Sequence, residues 1–144
     1  MVSSEGKNFA DKHGRDASAD PRIRDEIVNR VTEGKLPCAL AFELAESLGV
    51  EPEQIGMTVD LLNFRLTKCQ LGLFGYSPDK KIVKPVIPEN SEITSAIAAE
   101  ATGERLSCRA AWDIAIRFNI PKMTVSDACE AMNIGIKPCQ LGAF

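Results

Sequence analysis

The sequence predicts a mainly α protein that is built from two pseudo-symmetric three-helix units. A shift of 70 residues aligns 22–74 with 92–144 without a gap, and thirteen of the 53 aligned positions are identical. The apolar residues are mostly Leu, Ile, Val and Ala, with one Trp and one Tyr, and this composition favours helices. Capping residues and apolar residues at helical spacing also recur in both copies.

The repeat divides the chain into four parts. Residues 1–19 form a polar head, 20–74 the first repeat, 75–91 a linker that is also a candidate wing, and 92–144 the second repeat. The head contains the single His, His13, and lacks the apolar stretch of a secretory signal. No apolar run reaches the roughly 20 residues of a membrane span. We therefore expect a cytoplasmic protein with a flexible head and reduced cysteines.

The first repeat predicts three helices in order. Asp20 and Pro21 are typical of a helix start, and this first helix ends near Gly34. The second helix begins at Pro37 and ends at Gly49, which is expected to adopt the left-handed conformation at the helix end.

The third helix of the first repeat starts at Glu51 and Pro52 and places Ile55 and Val59 on its apolar side. The following stretch, FRLTKCQLGLFGY, alternates apolar and polar residues and is expected to be extended. SPDK then predicts a turn and KIVKPV a returning strand, which together would form a β-hairpin wing.

The second repeat predicts the same elements. Ser91 and Ser107 are expected to cap its first two helices, and Pro121 starts its third. Each unit is therefore expected to end in a short extended segment or a β-hairpin wing. Gly72 and Gly142, in the two Cys-Gln-Leu-Gly copies, are expected to supply the backbone freedom of a turn.

Residues 41–62 resemble a helix-turn-helix segment. Ala45, Gly49 and Val50 lie where that motif has a small residue, a turn glycine and an apolar plug. The same places in the second copy are occupied by Ala115, Asn119 and Ile120. With a helix before the motif and a hairpin after it, the first unit looks like a winged helix, and the chain is similar to prokaryotic proteins with a doubled Cys-Gln-Leu-Gly segment. The resemblance implies a module that binds DNA or a protein.

The candidate binding residues lie in the wing and on the third helices. The basic candidates of the wing are Arg65, Lys68, Lys80, Lys81 and Lys84, and the polar candidates of the third helices are Gln54, Thr58, Lys122 and Thr124. Basic wing residues either hold a phosphate backbone or solvate a hairpin and prevent edge pairing. The first of these helices carries Glu51, Glu53 and Asp60 and no Lys or Arg, which opposes DNA binding. We expect Asp60 and the recurring acidic positions of the helices to be exposed.

Four of the five cysteines recur in the repeat. The recurring residues are Cys38 with Cys108 and Cys69 with Cys139. Buried packing is expected for these four, and the alternatives are a zinc or iron–sulfur site made of all four or a disulfide within each repeat. No C-x₂-C pair with typical metal-binding spacing is present. Cys129 aligns with Val59 and is expected to be a small core residue.

The sequence predicts a non-enzymatic binding module, a small regulatory or adaptor protein with a protein or DNA partner. Outside the head it has no His, and GLFGYS lacks both the spacing and the Lys of a phosphate-binding loop. Neither a cofactor, a membrane nor a small-molecule substrate is indicated. The alternative function is metal binding or redox sensing through the recurring cysteines.

Overall fold

The computed structural model describes residues 19–143, and this part of the chain is mainly helical. The first set of elements is α1 (Pro21–Arg30), β1 (Lys35–Pro37), α2 (Cys38–Leu48), α3 (Pro52–Leu61) and β2 (Arg65–Thr67). The second set is α4 (Ser91–Glu100), β3 (Arg105–Leu106), α5 (Cys108–Phe118), α6 (Lys122–Ala131) and β4 (Gly135–Ile136). Each helix of the second set begins and ends 70 residues after its counterpart. The predicted mainly α class is confirmed.

The chain divides into two compact units. Within the described residues, the first unit comprises 19–68 together with Leu141–Ala143, and the second comprises Cys69–Gln140. The first Cys-Gln-Leu-Gly copy therefore belongs to the unit that contains α4, α5 and α6. Part of the second copy belongs to the unit that contains α1, α2 and α3.

Local capping interactions fix the helix ends of the first unit. The Asp20 side chain accepts a hydrogen bond from the Arg22 amide at 2.8 Å, as expected of an N-cap. Gly49 ends α2 in the left-handed conformation with φ 68°. Glu51 and Gln54 form a capping box at the start of α3. These three signals lie within a few residues of the helix ends that they determine.

The core of the first unit lies between its three helices and a two-stranded sheet. α1 packs on α2 and α3, which also pack on each other. β1 and β2 pair in parallel with Leu36 opposite Leu66, and both side chains are buried. Ile27, Ile55 and Val59 are fully buried in this unit. The apolar positions that define the helical spacing in the sequence are therefore the ones that form the core.

The second unit repeats this arrangement with small differences at the helix starts. Asn90, rather than Ser91, caps α4 by accepting from the Glu92 amide, and Ser107 caps α5. Asn119 ends α5 in the left-handed conformation with φ 54°. α5 buries the same positions as α2 along all 11 residues. Cys69 and Leu71 are part of the core of this unit.

The predicted β-hairpin wing is wrong. β2 pairs in parallel with β1, and residues 81–86 form no strand. Only an isolated antiparallel bridge between Tyr76 and Lys80 remains of the hairpin. Pro85 has no amide proton, and the amides of neighbouring linker residues donate to Gly72 and to α6 instead of to a partner strand.

Candidate functional site

An acidic surface covers the exposed sides of α2 and the start of α3. Its exposed carboxylates are Glu43, Glu46, Glu51 and Glu53. The chain has no Lys or Arg between Lys35 and Arg65, so these two helices carry no cation of their own. One cation from α1, Arg22, contacts the end of α2. The four carboxylates give the exposed sides of these two helices a net negative charge.

Glu46 lies where the helix dipole disfavours a negative charge. It falls in the last turn of α2, which contains no basic residue. The carboxyl end of a helix carries partial negative charge, so an anion there is unfavourable by a few tenths to about 1 kcal/mol. The equivalent helix α5 has Arg117 in its last turn. At the end of α2 the cation comes instead from α1, since the Arg22 guanidinium donates to the Leu48 carbonyl at 3.3 Å.

The central part of α3 is covered by the closing segment of the chain. Gly56 lies so close to the Leu141 carbonyl that a Cβ at this position would overlap it. Thr58 is only 1% exposed, and its hydroxyl donates to the Gln54 carbonyl at 2.7 Å. Asp60 is 7% exposed. The expectation that Thr58 and Asp60 lie on an exposed helix face is therefore wrong. Both are buried on a helix that packs against α1 and α2 and that also meets Leu141 at Gly56.

The linker segment, residues 81–86, lies along α6 in the second unit. The Asp127 side chain accepts from the Lys84 amide at 3.0 Å, and the Asp127 carbonyl accepts from the Val86 amide at 3.1 Å. Lys81 forms an ion pair with Glu130 at 2.9 Å. Asp127 and Glu130 are three residues apart and share a face of α6, and the linker segment occupies that face.

The basic residues of the predicted wing belong to different units. Arg65 and Lys68 are exposed in the first unit, whereas Lys80, Lys81 and Lys84 are exposed in the second. Arg65 pairs in register with Lys35, which adds a cation beside it. Of the three linker lysines, Lys81 is already engaged by Glu130.

The polar candidates on the third helices have structural contacts. Lys122 lies over the Trp112 ring, 4.5 Å from its centroid, and is half-buried. Thr124 is also half-buried. Gln54 is exposed, but its side chain accepts from the Glu51 amide at 3.3 Å in the capping box. Lys122 and Gln54 thus have contacts within the protein, and Thr124 is partly covered.

The cysteines are buried, and two of them form a close pair. The Cys108 amide donates to the Pro138 carbonyl at 3.0 Å, and the Gln140 side-chain amide donates to the Cys108 sulfur at 3.5 Å. Cys139 lies between these two residues, and its side chain is near enough to Cys108 to raise the pKa of the Cys108 thiol. We call these two residues the Cys108–Cys139 pair. The sequence repeat indicated that Cys108 and Cys139 are equivalent to an earlier pair, but it could not show that they touch.

The environment raises the pKa of three thiols. The hydrogen bond to Cys139, followed by burial, raises the pKa of Cys108 far above its ordinary range. Burial raises the pKa of Cys69, against the lowering effect of backbone hydrogen bonds. Burial alone raises the pKa of Cys129 to about 11. Cys129 is 1% exposed and lies in the core, as its alignment with Val59 predicts.

Within residues 19–143, His, Cys, Asp and Glu side chains form no group of three or more that could hold a metal ion. The four recurring cysteines are also divided between the units, with Cys38 in the first and Cys69, Cys108 and Cys139 in the second. In the same part of the chain, none of the helices has the length and apolar character needed to cross a membrane.

Comparisons with protein-family models, with curated proteins and with solved structures found no match for this chain. Its function is therefore inferred from the surfaces and contacts described above.

Sequence reasoning missed the two features that most change the site. The packing of Leu141 on Gly56 had one signal, a glycine inside a helix, which often marks a close backbone approach. The role of Asp127 had no signal in the sequence, because an acidic residue on a polar helix face usually solvates that face.

Proposed function

We propose that this chain is a non-enzymatic binding module made of two helix-turn-helix-like units, and that its partner is a protein with a cationic surface. The observation that carries the proposal is the acidic surface of α2 and α3, where four exposed carboxylates have no Lys or Arg between them. Charge complementarity steers association and selects partners of opposite sign.

The arrangement of the third helices favours a protein partner over DNA. A DNA-binding helix-turn-helix places this helix in the major groove with polar or basic side chains facing the bases. The start of α3 presents Glu51 and Glu53, which repel phosphates. The Asp127–Glu130 face of α6 holds the linker segment. DNA is the second candidate partner in the test below, because the chain also has exposed cations: Arg65, Lys68, Lys80 and Lys84.

The test compares two fluorescently labelled probes, a Lys- and Arg-rich peptide and a DNA duplex, at low and at moderate salt. We expect the full chain to bind the peptide with an affinity that decreases with salt, and to leave the duplex unbound. Changing Glu43→Gln together with Glu46→Gln weakens peptide binding several-fold, because both side chains lie on the acidic surface and neither caps a helix.

The matched control removes the same charge elsewhere. Glu100→Gln with Glu104→Gln changes two exposed carboxylates of the second unit. It leaves peptide affinity nearly unchanged if the acidic surface is the binding site. Equal weakening by both double variants means that only net charge matters and contradicts the proposal. Binding of the duplex with a steep salt dependence, and no binding of the peptide, would establish the DNA alternative.

A further inference from the structure

We propose that Cys108 and Cys139 are a redox-active dithiol, which a hydroperoxide converts into an intramolecular disulfide of the second unit. The proposal does not depend on the acidic surface or on the identity of a partner. It rests on contacts that hold the two cysteines side by side and on the different surroundings of the other cysteines.

Contacts on both sides of Cys139 place it against Cys108. The carbonyl of the preceding residue, Pro138, accepts from the Cys108 amide at 3.0 Å. The side chain of the following residue, Gln140, donates to the Cys108 sulfur at 3.5 Å. Disulfides require two cysteines whose Cβ atoms already approach each other, and these contacts hold the two cysteines side by side.

The accessibility of the two sulfurs assigns their roles. Both sulfurs are buried, so the one that solvent and a small oxidant reach more easily reacts first. Cys139 is the more accessible of the two, at 9% exposure against 5%. The thiolate is the reactive form of cysteine, so Cys139 is the sulfur that reacts with the oxidant and Cys108 is the sulfur that resolves the product.

The reaction balances with one hydroperoxide as oxidant. The Cys139 thiolate attacks a peroxide oxygen, so that an S–O bond forms, the O–O bond breaks, and the leaving oxygen takes a proton to become water when the oxidant is hydrogen peroxide. The Cys108 sulfur then attacks the sulfenic acid of Cys139. The S–S bond forms, the S–O bond breaks, and hydroxide leaves with the Cys108 proton as a second water. Two thiols lose two electrons, and one peroxide gains them.

Cys69 is the competing partner in the same unit. It lies near enough to Cys139 for a charge on one to raise the pKa of the other. Its position is nevertheless fixed by other contacts, since its amide donates to the Phe74 carbonyl at 3.1 Å and its carbonyl accepts from the Tyr76 hydroxyl. The Pro138 carbonyl and the Gln140 side chain, on either side of Cys139, both form hydrogen bonds with Cys108. Cys108 is therefore the assigned partner.

The experiment treats the reduced, folded full chain with a small excess of hydrogen peroxide, blocks the remaining thiols after denaturation, and maps the peptides by mass spectrometry. Trypsin followed by a Glu-specific protease separates all five cysteines, because Glu130 lies between Cys129 and Cys139. We expect the thiol count to fall from five to three, with one cross-linked peptide pair that contains Cys108 and Cys139. Dithiothreitol restores five thiols.

Two variants test whether the cross-link requires the Cys108–Cys139 pair. Cys129→Ala removes a core cysteine outside the pair and is expected to keep the cross-link, whereas Cys139→Ser abolishes it. The mapping of the unmodified chain decides the proposal even if a variant fails to fold. Five free thiols after treatment, a cross-link of Cys139 to Cys69, or oxidation of Cys139 to a sulfinic acid without a cross-link would each overturn it.

Discussion

The backbone carbonyl of Leu141 lies against Gly56, in the middle of α3, where a Cβ atom would overlap it. Both residues belong to the first unit, although 85 positions of sequence separate them. A glycine inside a helix is ordinarily unfavourable by about 1 kcal/mol relative to Ala. Its presence here is explained by the close approach of the closing segment.

The first prediction is that Gly56→Ala destabilises the protein. The helix propensity of Ala favours the variant by about 1 kcal/mol, but the new methyl group overlaps a backbone atom that no rotamer change can move. We expect a net loss of about 2 kcal/mol or more in the free energy of unfolding. Urea denaturation monitored by circular dichroism measures this difference.

Ser126→Ala is the matched control, because Ser126 occupies the position in α6 that Gly56 occupies in α3. Ser126 is buried, and within residues 19–143 its hydroxyl has no hydrogen-bond partner. Removing a buried hydroxyl of this kind stabilises by about 1 kcal/mol. The two Ala variants are thus expected to shift stability in opposite directions, and a stable Gly56→Ala protein would contradict the packing of Leu141 on α3.

The second prediction distinguishes two equivalent glycines. Gly72 has φ 76°, and a Cβ there would lie 2.9 Å from the Met123 methyl and 3.1 Å from a side-chain carbon of Ile82. Gly142 has φ 79°, but a Cβ there would meet nothing within 4 Å among the described residues. Gly72→Ala therefore combines backbone strain with crowding, whereas Gly142→Ala introduces strain alone. We expect the first to destabilise more, by about 1 kcal/mol or more.

Thermal unfolding of the two variants side by side checks this order. Equal effects would mean that the left-handed backbone conformation explains both glycines and that the contacts of Gly72 with α6 and the linker are unimportant.

The third prediction concerns the linker segment on α6. Asp127→Ala removes the side-chain acceptor of the Lys84 amide but keeps the backbone carbonyl that accepts from Val86. We expect the Lys84 amide to exchange with solvent several-fold faster, while the Val86 amide changes less. Amide hydrogen exchange followed by NMR measures both positions in one sample.

Glu130→Gln provides the comparison for this experiment. It removes the ion pair with Lys81, but both side chains are more than a third exposed, so the pair contributes no more than about 1 kcal/mol. An exchange rate at Lys84 that rises as much in Glu130→Gln as in Asp127→Ala would refute the role assigned to Asp127.

The fourth prediction is a loss of stability at alkaline pH. Burial raises the pKa of Cys129 from 9.0 to about 11, so the folded protein keeps a proton that the unfolded chain releases between these values. The free energy of unfolding is therefore unaffected by this group below about pH 9 and falls as pH rises toward 11, by on the order of 2 kcal/mol. The raised pKa values of Cys69 and Cys108 act in the same direction.

Cys129→Ala isolates the contribution of this thiol. The variant is expected to lose less stability than the original chain between about pH 8 and pH 11, measured by denaturant titration at each pH. Parallel pH curves for the two proteins would show that Cys129 ionises equally easily in the folded and unfolded states.

The sequence predicted the local structure because its signals act over a few residues. Asp20, Gly49 and Asn119 mark helix ends through contacts or backbone conformations within a turn of the residue itself. The hairpin prediction failed for a related reason. KIVKPV has strand-like composition, but the groups that accept its hydrogen bonds lie on α6, more than 40 residues away.

The candidate site was predicted only in part. Charge counting identified the acidic character of α3 and the basic residues of the linker, since charge is a property of composition. Whether a polar side chain is exposed depends on what packs over it. The sequence predicted that Thr58 and Asp60 are surface residues, but both are buried in the first unit.

By itself, the sequence determined the repeat, the six helices with most of their ends, and the apolar core positions, because capping and periodicity are encoded over short distances. Tertiary structure alone decided which distant segments complete each unit. It placed Leu141 on Gly56, the linker segment on Asp127, and Cys139 beside Cys108. These contacts join residues that no local pattern relates, because they depend on which segments pack together when apolar surface is buried.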